Sequence, residues 1–226
     1  MALADHMDVP LRTRNTWLLA AGYAPRYSEQ SLDSVRMAPV KAAIQRLLDA
    51  HDPYPGVALD GQWNVVLTNR AGQRMTDLLP PFLRVPAINI FKASLHPDGF
   101  AAHTSNFAEW GLHMLGVLQG LLANRPDAQL LSLAQEIDAY PNVQALKVLT
   151  LATPTQEPAL LVSCRLMLGG HELSLFTTLT TFGSPRDITL HELCIELFYP
   201  ADEATQKFLQ STAQASSLTS SVADTS

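Results

Sequence analysis

The chain has 226 residues, with 15 Lys and Arg against 21 Asp and Glu, for a formal net charge of −6. Hydrophobic residues make up 47% and charged ones only 16%, against about a quarter charged in an average domain. That excludes a disordered chain and leaves ample apolar material for one sizeable core. The acidic balance also argues against this chain, taken alone, being a nucleic-acid clamp. No stretch reaches the roughly 20 apolar residues of a spanning helix, so no membrane partner is expected. The N-terminal MALADHMDVP lacks the apolar core of a secretory signal.

In chain order, residues 9–22 are predicted to form a helix, with Pro10 in its first turn and Gly22 just past its end. Residues 23–37 read as a linker. A second helix is expected over 39–51, where Val40, Ile44, Leu47 and Leu48 fall on one stripe. Pro53 and Pro55 end it. The period then changes: GVALDGQWNVVLTNRAG places Asp60-Gly61 between two apolar runs, a hairpin signal. Asn69 is placed to cap a helix starting at Arg70. Residues 80–100 hold four prolines and read as irregular, partly packed chain.

The most apolar helix is predicted over 107–123, with Asn106 and Glu109 as a capping box. Phe107, Trp110, Met114, Val117, Leu118 and Leu121 line one face, and Leu112, Leu115 and Leu122 extend it. Such a helix is buried or walls a cavity; composition leaves both readings open. Gly116 and Gly120 are spaced for close helix approach. A further helix is expected over 127–139, and an edge strand over 145–152.

Residues 160–168 and 171–182 flank Gly169-Gly170 and read as a hairpin. A two-residue turn pairs Leu168 with His171, Leu166 with Leu173, Cys164 with Leu175 and Leu160 with Leu179. One face is then Leu160, Val162, Cys164, Leu166, Leu173, Leu175 and Leu179, and the other is polar and includes Arg165. A last strand is expected over 194–199, after a turn capped by Thr189 and Glu192. The tail, 211–226, is rich in Ser, Thr and Ala and reads as disordered. The order of elements gives an α+β fold, an antiparallel sheet with a helical cover.

No pattern for covalent chemistry emerges. HExxH, CxxC and GxSxG are absent, and no glycine-rich phosphate loop appears. His171-Glu172 and His191-Glu192 are adjacent, so in strands they point to opposite faces. Asp49, Asp52 and Asp60 have local roles. Cys164 and Cys194 lie far apart without metal-type spacing and read as buried structural thiols of a cytoplasmic protein. The chain is expected to be no enzyme and to need no metal or cofactor. A binding cavity is the default expectation.

The hairpin VALDGQWNVVLTNRA, with Asn-Arg-Ala entering a helix, resembles the opening of a PAS domain. More broadly the chain resembles the MmyB-like ligand-binding family of bacterial helix-turn-helix transcription regulators. The matching pieces include LADHMDVPLRTRNTWLLAAGYAPRY, NIFKASLHPDGFAAHTSNFAEWGLHML, GGHELSLFTTLTTFGSP and ELFYPADEAT. The resemblance implies four regions. Residues 1–22 would be the last helix of an Xre-type helix-turn-helix domain, 23–37 a linker, 38–210 a PAS-like ligand-binding domain and 211–226 a tail. The sequence starts inside that last helix, so the DNA-reading helix is expected to be missing from this chain.

The resemblance further implies a homodimeric one-component regulator that senses a small apolar, fatty-acyl-like ligand, with DNA bound only through the missing region. On that reading Phe91, Leu95, Trp110, Met114 and Leu118 would line an apolar slot, and Leu173, Leu175 and Leu179 would close it from the sheet. No basic residue is placed by sequence to hold a carboxylate. The competing reading is a ligand-free PAS-like dimerisation or partner-binding module with a filled core.

Overall fold

The protein is described by a computed structural model covering residues 2–7, 9–124, 127–152 and 161–223. Its centre is a five-stranded antiparallel sheet of order β2-β1-β5-β4-β3. The strands are β1 (Gly56–Leu59), β2 (Val65–Thr68), β3 (Cys164–Leu168), β4 (His171–Thr181) and β5 (Cys194–Pro200). With its helices this is the α+β, PAS-like arrangement that the resemblance implies.

The β3–β4 register is the expected one, with Cys164 opposite Leu175, Leu166 opposite Leu173 and Leu168 opposite His171. Gly169 and Gly170 both take positive φ, which a tight two-residue turn requires. Strand β3 starts at Cys164 rather than at 160; Leu160 lies outside the described residues. Leu179 shares the apolar face but is 51% exposed, and it pairs with Glu196 of β5 rather than with β3.

The Asp60-Gly61 turn is wider than a two-residue hairpin. Asp60 accepts from the backbone N–H of Gln62 and Asn64, both at 2.9 Å. Trp63 takes φ 63°, and its buried ring stacks on Phe91 at 4.8 Å between centroids. The aromatic stack and the Asp60 hydrogen bonds together hold a conformation that a bulky side chain rarely adopts.

One sheet face carries Val57, Leu59, Cys164, Leu166, Leu175, Cys194 and Phe198 into the main core. Helices α5 (Ile90–Leu95), α6 (Phe107–Asn124), α7 (Ala128–Asp138) and α8 (Pro141–Ala152) cover it. Helix α8 occupies the segment expected to be an edge strand. Pro141 opens it rather than only ending α7, and Val143 and Leu146, three apart, are both buried. The close approach of helices is at Gly111, where an added Cβ would lie 2.9 Å from Leu146 Cδ2. Among the described residues nothing lies within 4 Å of a Cβ at Gly116 or Gly120.

The opposite face is covered at β1 and β5 by α3 (Ala38–Asp49), through Ile44 and Leu48 against Ala58, Leu193 and Ile195. Helix α4 (Arg70–Thr76) follows β2, and α9 (Ile188–Glu192) precedes β5. The cap of α9 is Asp187, which accepts from Thr189 N–H, not Thr189 itself. The last helix, α10 (Glu203–Ala223), corrects the expected tail as far as Ala223. Ala, Gln and Leu favour helix, Thr205 is fully buried and Leu209 packs on the main core.

At the N-terminus, α1 (Ala2–His6) and α2 (Leu11–Ala20) are tied together by Arg14. Its buried guanidinium donates to Val9 O, Ala4 O and Asp5. Arg12 pairs with Glu192 at 2.7 Å and Glu29 at 2.5 Å, docking α2 onto α9.

Candidate functional site

Where α4 meets the sheet, Asn69 organises the chain. Its side-chain oxygen accepts from Gly72 N–H at 2.8 Å and Gly56 N–H at 3.0 Å. Its amide donates to Leu48 O at 3.0 Å and Tyr54 O at 2.8 Å. One buried side chain thus caps α4, as its position before Arg70 foretold, and also joins α3 and β1 to it. Gly72 sits so close to this junction that a Cβ would meet Gly56 O at 2.7 Å.

Helix α4 so placed is the wall between two cavities. The inner one, about 40 Å³, lies on the main-core face of the sheet. Val57, Cys164, Leu166, Glu196 and Phe198 form its floor, with Gly72, Met75, Thr76, Ile90, Phe100 and Trp110 around it. The outer cavity, about 220 Å³, runs between α4, the β3–β4 turn and α10. It is lined by Arg74, Met75, Leu78, Leu168, Leu173, Leu175, Phe208, Leu209 and Thr212, among others. Pro55 and Met75 line both cavities. Met75 is unbranched and flexible, the side-chain type best able to swing and join the two spaces.

Two charged residues stand out, and neither was identified from sequence. Arg74 is the one basic residue on the outer cavity and has no ion pair with any described residue. Glu196 is the one carboxyl on the inner cavity, only 4% exposed, and its Oε2 has no hydrogen-bond partner among the described residues. Burial pushes its carboxyl up to about 7, against the smaller opposing effect of the Thr177 side chain. The available signal was a lone Glu in the strand CIELFYP, whose neighbours on both faces are apolar.

Of the residues expected from sequence to line a slot, Trp110 lies on the inner cavity, and Leu173 and Leu175 on the outer. Phe91, Leu95, Met114 and Leu118 are buried in the main core and line neither cavity. Leu179 is exposed. A larger polar groove, lined by Gln62, Lys92, His96 and Glu136, lies apart from both cavities. Among the described residues no three His, Cys, Asp or Glu side chains gather to hold a metal ion. Among them also, no helix is long and apolar enough to cross a membrane.

Cys164 and Cys194 are buried free thiols. Burial pushes each thiol up to about 12, so thiolate is scarce at neutral pH. Thiol-reactive dye is expected to label both slowly in the native protein, at least about a hundredfold below its rate in denaturant. Rapid native labelling of Cys164 would mean that the inner cavity opens freely.

Two solved structures show distant likeness. A variant of RsLOV matches at 11% identity and TM-score 0.38, over 82% of each chain. The PAS domain of Bordetella pertussis BvgS matches at 16% identity and TM-score 0.33, over 79% of this chain and 98% of that one. Neither likeness bears on this chain's ligand. No curated protein matches the chain. The family model described as the MmyB-like transcription regulator ligand binding domain matches residues 40–211. That span runs from α3 into α10 and holds the whole sheet, Arg74, Glu196 and the lining of both cavities apart from Thr212, and over it the chain belongs to the MmyB-like transcription regulator ligand-binding domain family.

Proposed function

We propose that the chain is the small-molecule sensor of a bacterial one-component transcription regulator, working in the cytoplasm as a homodimer. The ligand is an apolar, fatty-acyl-like molecule, and its binding modulates DNA binding by a helix-turn-helix domain of the same regulator. The observation that carries this reading is the pair of apolar cavities sharing Met75, with Arg74 on the outer wall. An acyl chain in the outer cavity would gain about 0.8 kcal/mol per buried methylene, and its carboxylate would meet the guanidinium of Arg74. Met75 would yield to a longer chain. A route for the signal is supported by the Arg12–Glu192 pair, because Glu192 ends the short helix that leads into β5.

The test is a thermal melt with octanoic, decanoic and dodecanoic acids below their micelle concentrations. At least one is expected to raise the wild-type melting temperature. Arg74→Ala should melt like wild type without ligand but bind the acid about tenfold more weakly. The small inner cavity favours the second reading, a ligand-free dimerisation or partner-binding module. A wild type stabilised by none of the acids would select it.

A further inference from the structure

The acyl-pocket reading leaves Glu196 unexplained. A carboxyl in the middle of a central strand, with one oxygen lacking a partner, is costly in an apolar site unless something answers it. The cavity it faces offers little from the protein side. The hydroxyl of Thr76 is spent on Gln73 O at 2.9 Å. Cys164 is a weak donor, the Ser94 hydroxyl and the Trp110 indole N–H line the cavity without bonding Glu196 Oε2, and the remaining lining is mostly aliphatic and aromatic. Glu196 lines this cavity, so a ligand that entered past Met75 would come up against its carboxyl.

We propose that Glu196 is a specificity residue that accepts a hydrogen bond from a hydroxyl on the buried end of the ligand, so that the cavity selects a hydroxylated acyl chain over a plain one. This rests on the acyl-pocket reading and adds the chemistry of the far end of the chain. An all-apolar pocket would do the reverse, because burying a hydroxyl without a partner weakens binding. Glu196 with its unpaired oxygen turns that penalty into a gain. The carboxyl accepts through an oxygen in either protonation state. It also disfavours entry of a ligand carboxylate at this end, leaving that group to Arg74 in the outer cavity.

The experiment measures affinities of the ω-hydroxy acids of eight, ten and twelve carbons, each against its unhydroxylated parent, by isothermal titration calorimetry. On wild type, the hydroxy acid of at least one length is expected to bind about tenfold more tightly than its parent. In Glu196→Leu the preference should reverse, with the parent now the tighter ligand. Glu196→Gln keeps an acceptor of the same shape and should keep the preference for hydroxyl. If parents bind wild type but no length prefers the hydroxyl, Oε2 is answered by water and the proposal is overturned while the acyl pocket stands. If neither series binds, the acyl-pocket reading itself fails. A hydroxyl preference that survives in Glu196→Leu would place the donor elsewhere and also overturn the assignment.

Discussion

Replacing Asn69 by Ala is expected to cost about 4 kcal/mol of stability in urea unfolding. The loss follows from four hydrogen bonds made by one buried side chain. Two backbone N–H groups and the Tyr54 carbonyl lose their side-chain partner at once, in a place with little access for water, while Leu48 O keeps the His51 N–H at 3.0 Å. Each buried orphan costs roughly 1–3 kcal/mol, and partial relaxation brings the sum down. Asn69→Asp separates the two halves of the role. It keeps the oxygens that accept from Gly56 and Gly72 but loses both donated bonds and introduces a buried charge facing two carbonyls. It should also be strongly destabilised, and more so at neutral than at acid pH. A loss for Asn69→Ala no larger than that of an ordinary exposed cap, about 1 kcal/mol, would mean that α3, β1 and α4 do not depend on this junction.

The second large effect is a pH dependence at Glu196. Its folded-state value of about 7 lies above the ordinary 4.5. The folded protein therefore holds this proton more tightly than the unfolded chain does. Between those two values the folded state binds more protons, so stability falls as pH rises through the window and levels off above it. The ceiling on this loss is about 3 kcal/mol. The groups that face Glu196 do not reverse the sign: Thr177 opposes the shift more weakly than burial raises it, and the thiols of Cys164 and Cys194 stay neutral here. Glu196→Gln has no such proton. Unfolding free energies at about pH 5 and about pH 8 should show wild type losing roughly 2–3 kcal/mol more than the variant across the window. Parallel pH profiles for the two proteins would mean that Glu196 is solvated or paired.

Local chemistry made several of these features legible in the sequence. Gly169-Gly170 set the β3–β4 register because a two-residue turn allows only one pairing, and alternation then divided the faces. Asn69 was legible as a cap because it stands between a strand pattern and a helix pattern. Its two donated bonds were not, since Leu48 and Tyr54 reach it only through tertiary packing. The segment that became α8 was misread because VLTLA satisfies a strand pattern as well as a helix pattern over so few residues; the burial of Val143 and Leu146 decides between them.

The candidate site was less legible, for a physical reason. Sequence apolarity finds residues that are buried, and a well-filled core and a cavity wall share that property. Phe91, Leu95, Met114 and Leu118 satisfy it by packing against one another and their neighbours. The space is left instead beside Met75 and Leu209, where a short helix, a turn and the last helix meet without filling the corner. Arg74 lines that space from α4, and Glu196 lines the inner cavity from β5, far apart in the chain. Glu196 was visible only as a charge inside an apolar strand.

The central claim is that an acyl chain occupies the outer cavity. Leu209→Trp tests it most directly, because the larger side chain fills that space from a half-buried helix position. Calorimetric titration with decanoic acid should give one binding event per wild-type chain. In Leu209→Trp that heat should vanish, while the unliganded melting temperature stays within about 5 °C of wild type. Undiminished binding to a folded Leu209→Trp protein would contradict the account, since the ligand would then sit somewhere other than between α4, the β3–β4 turn and α10.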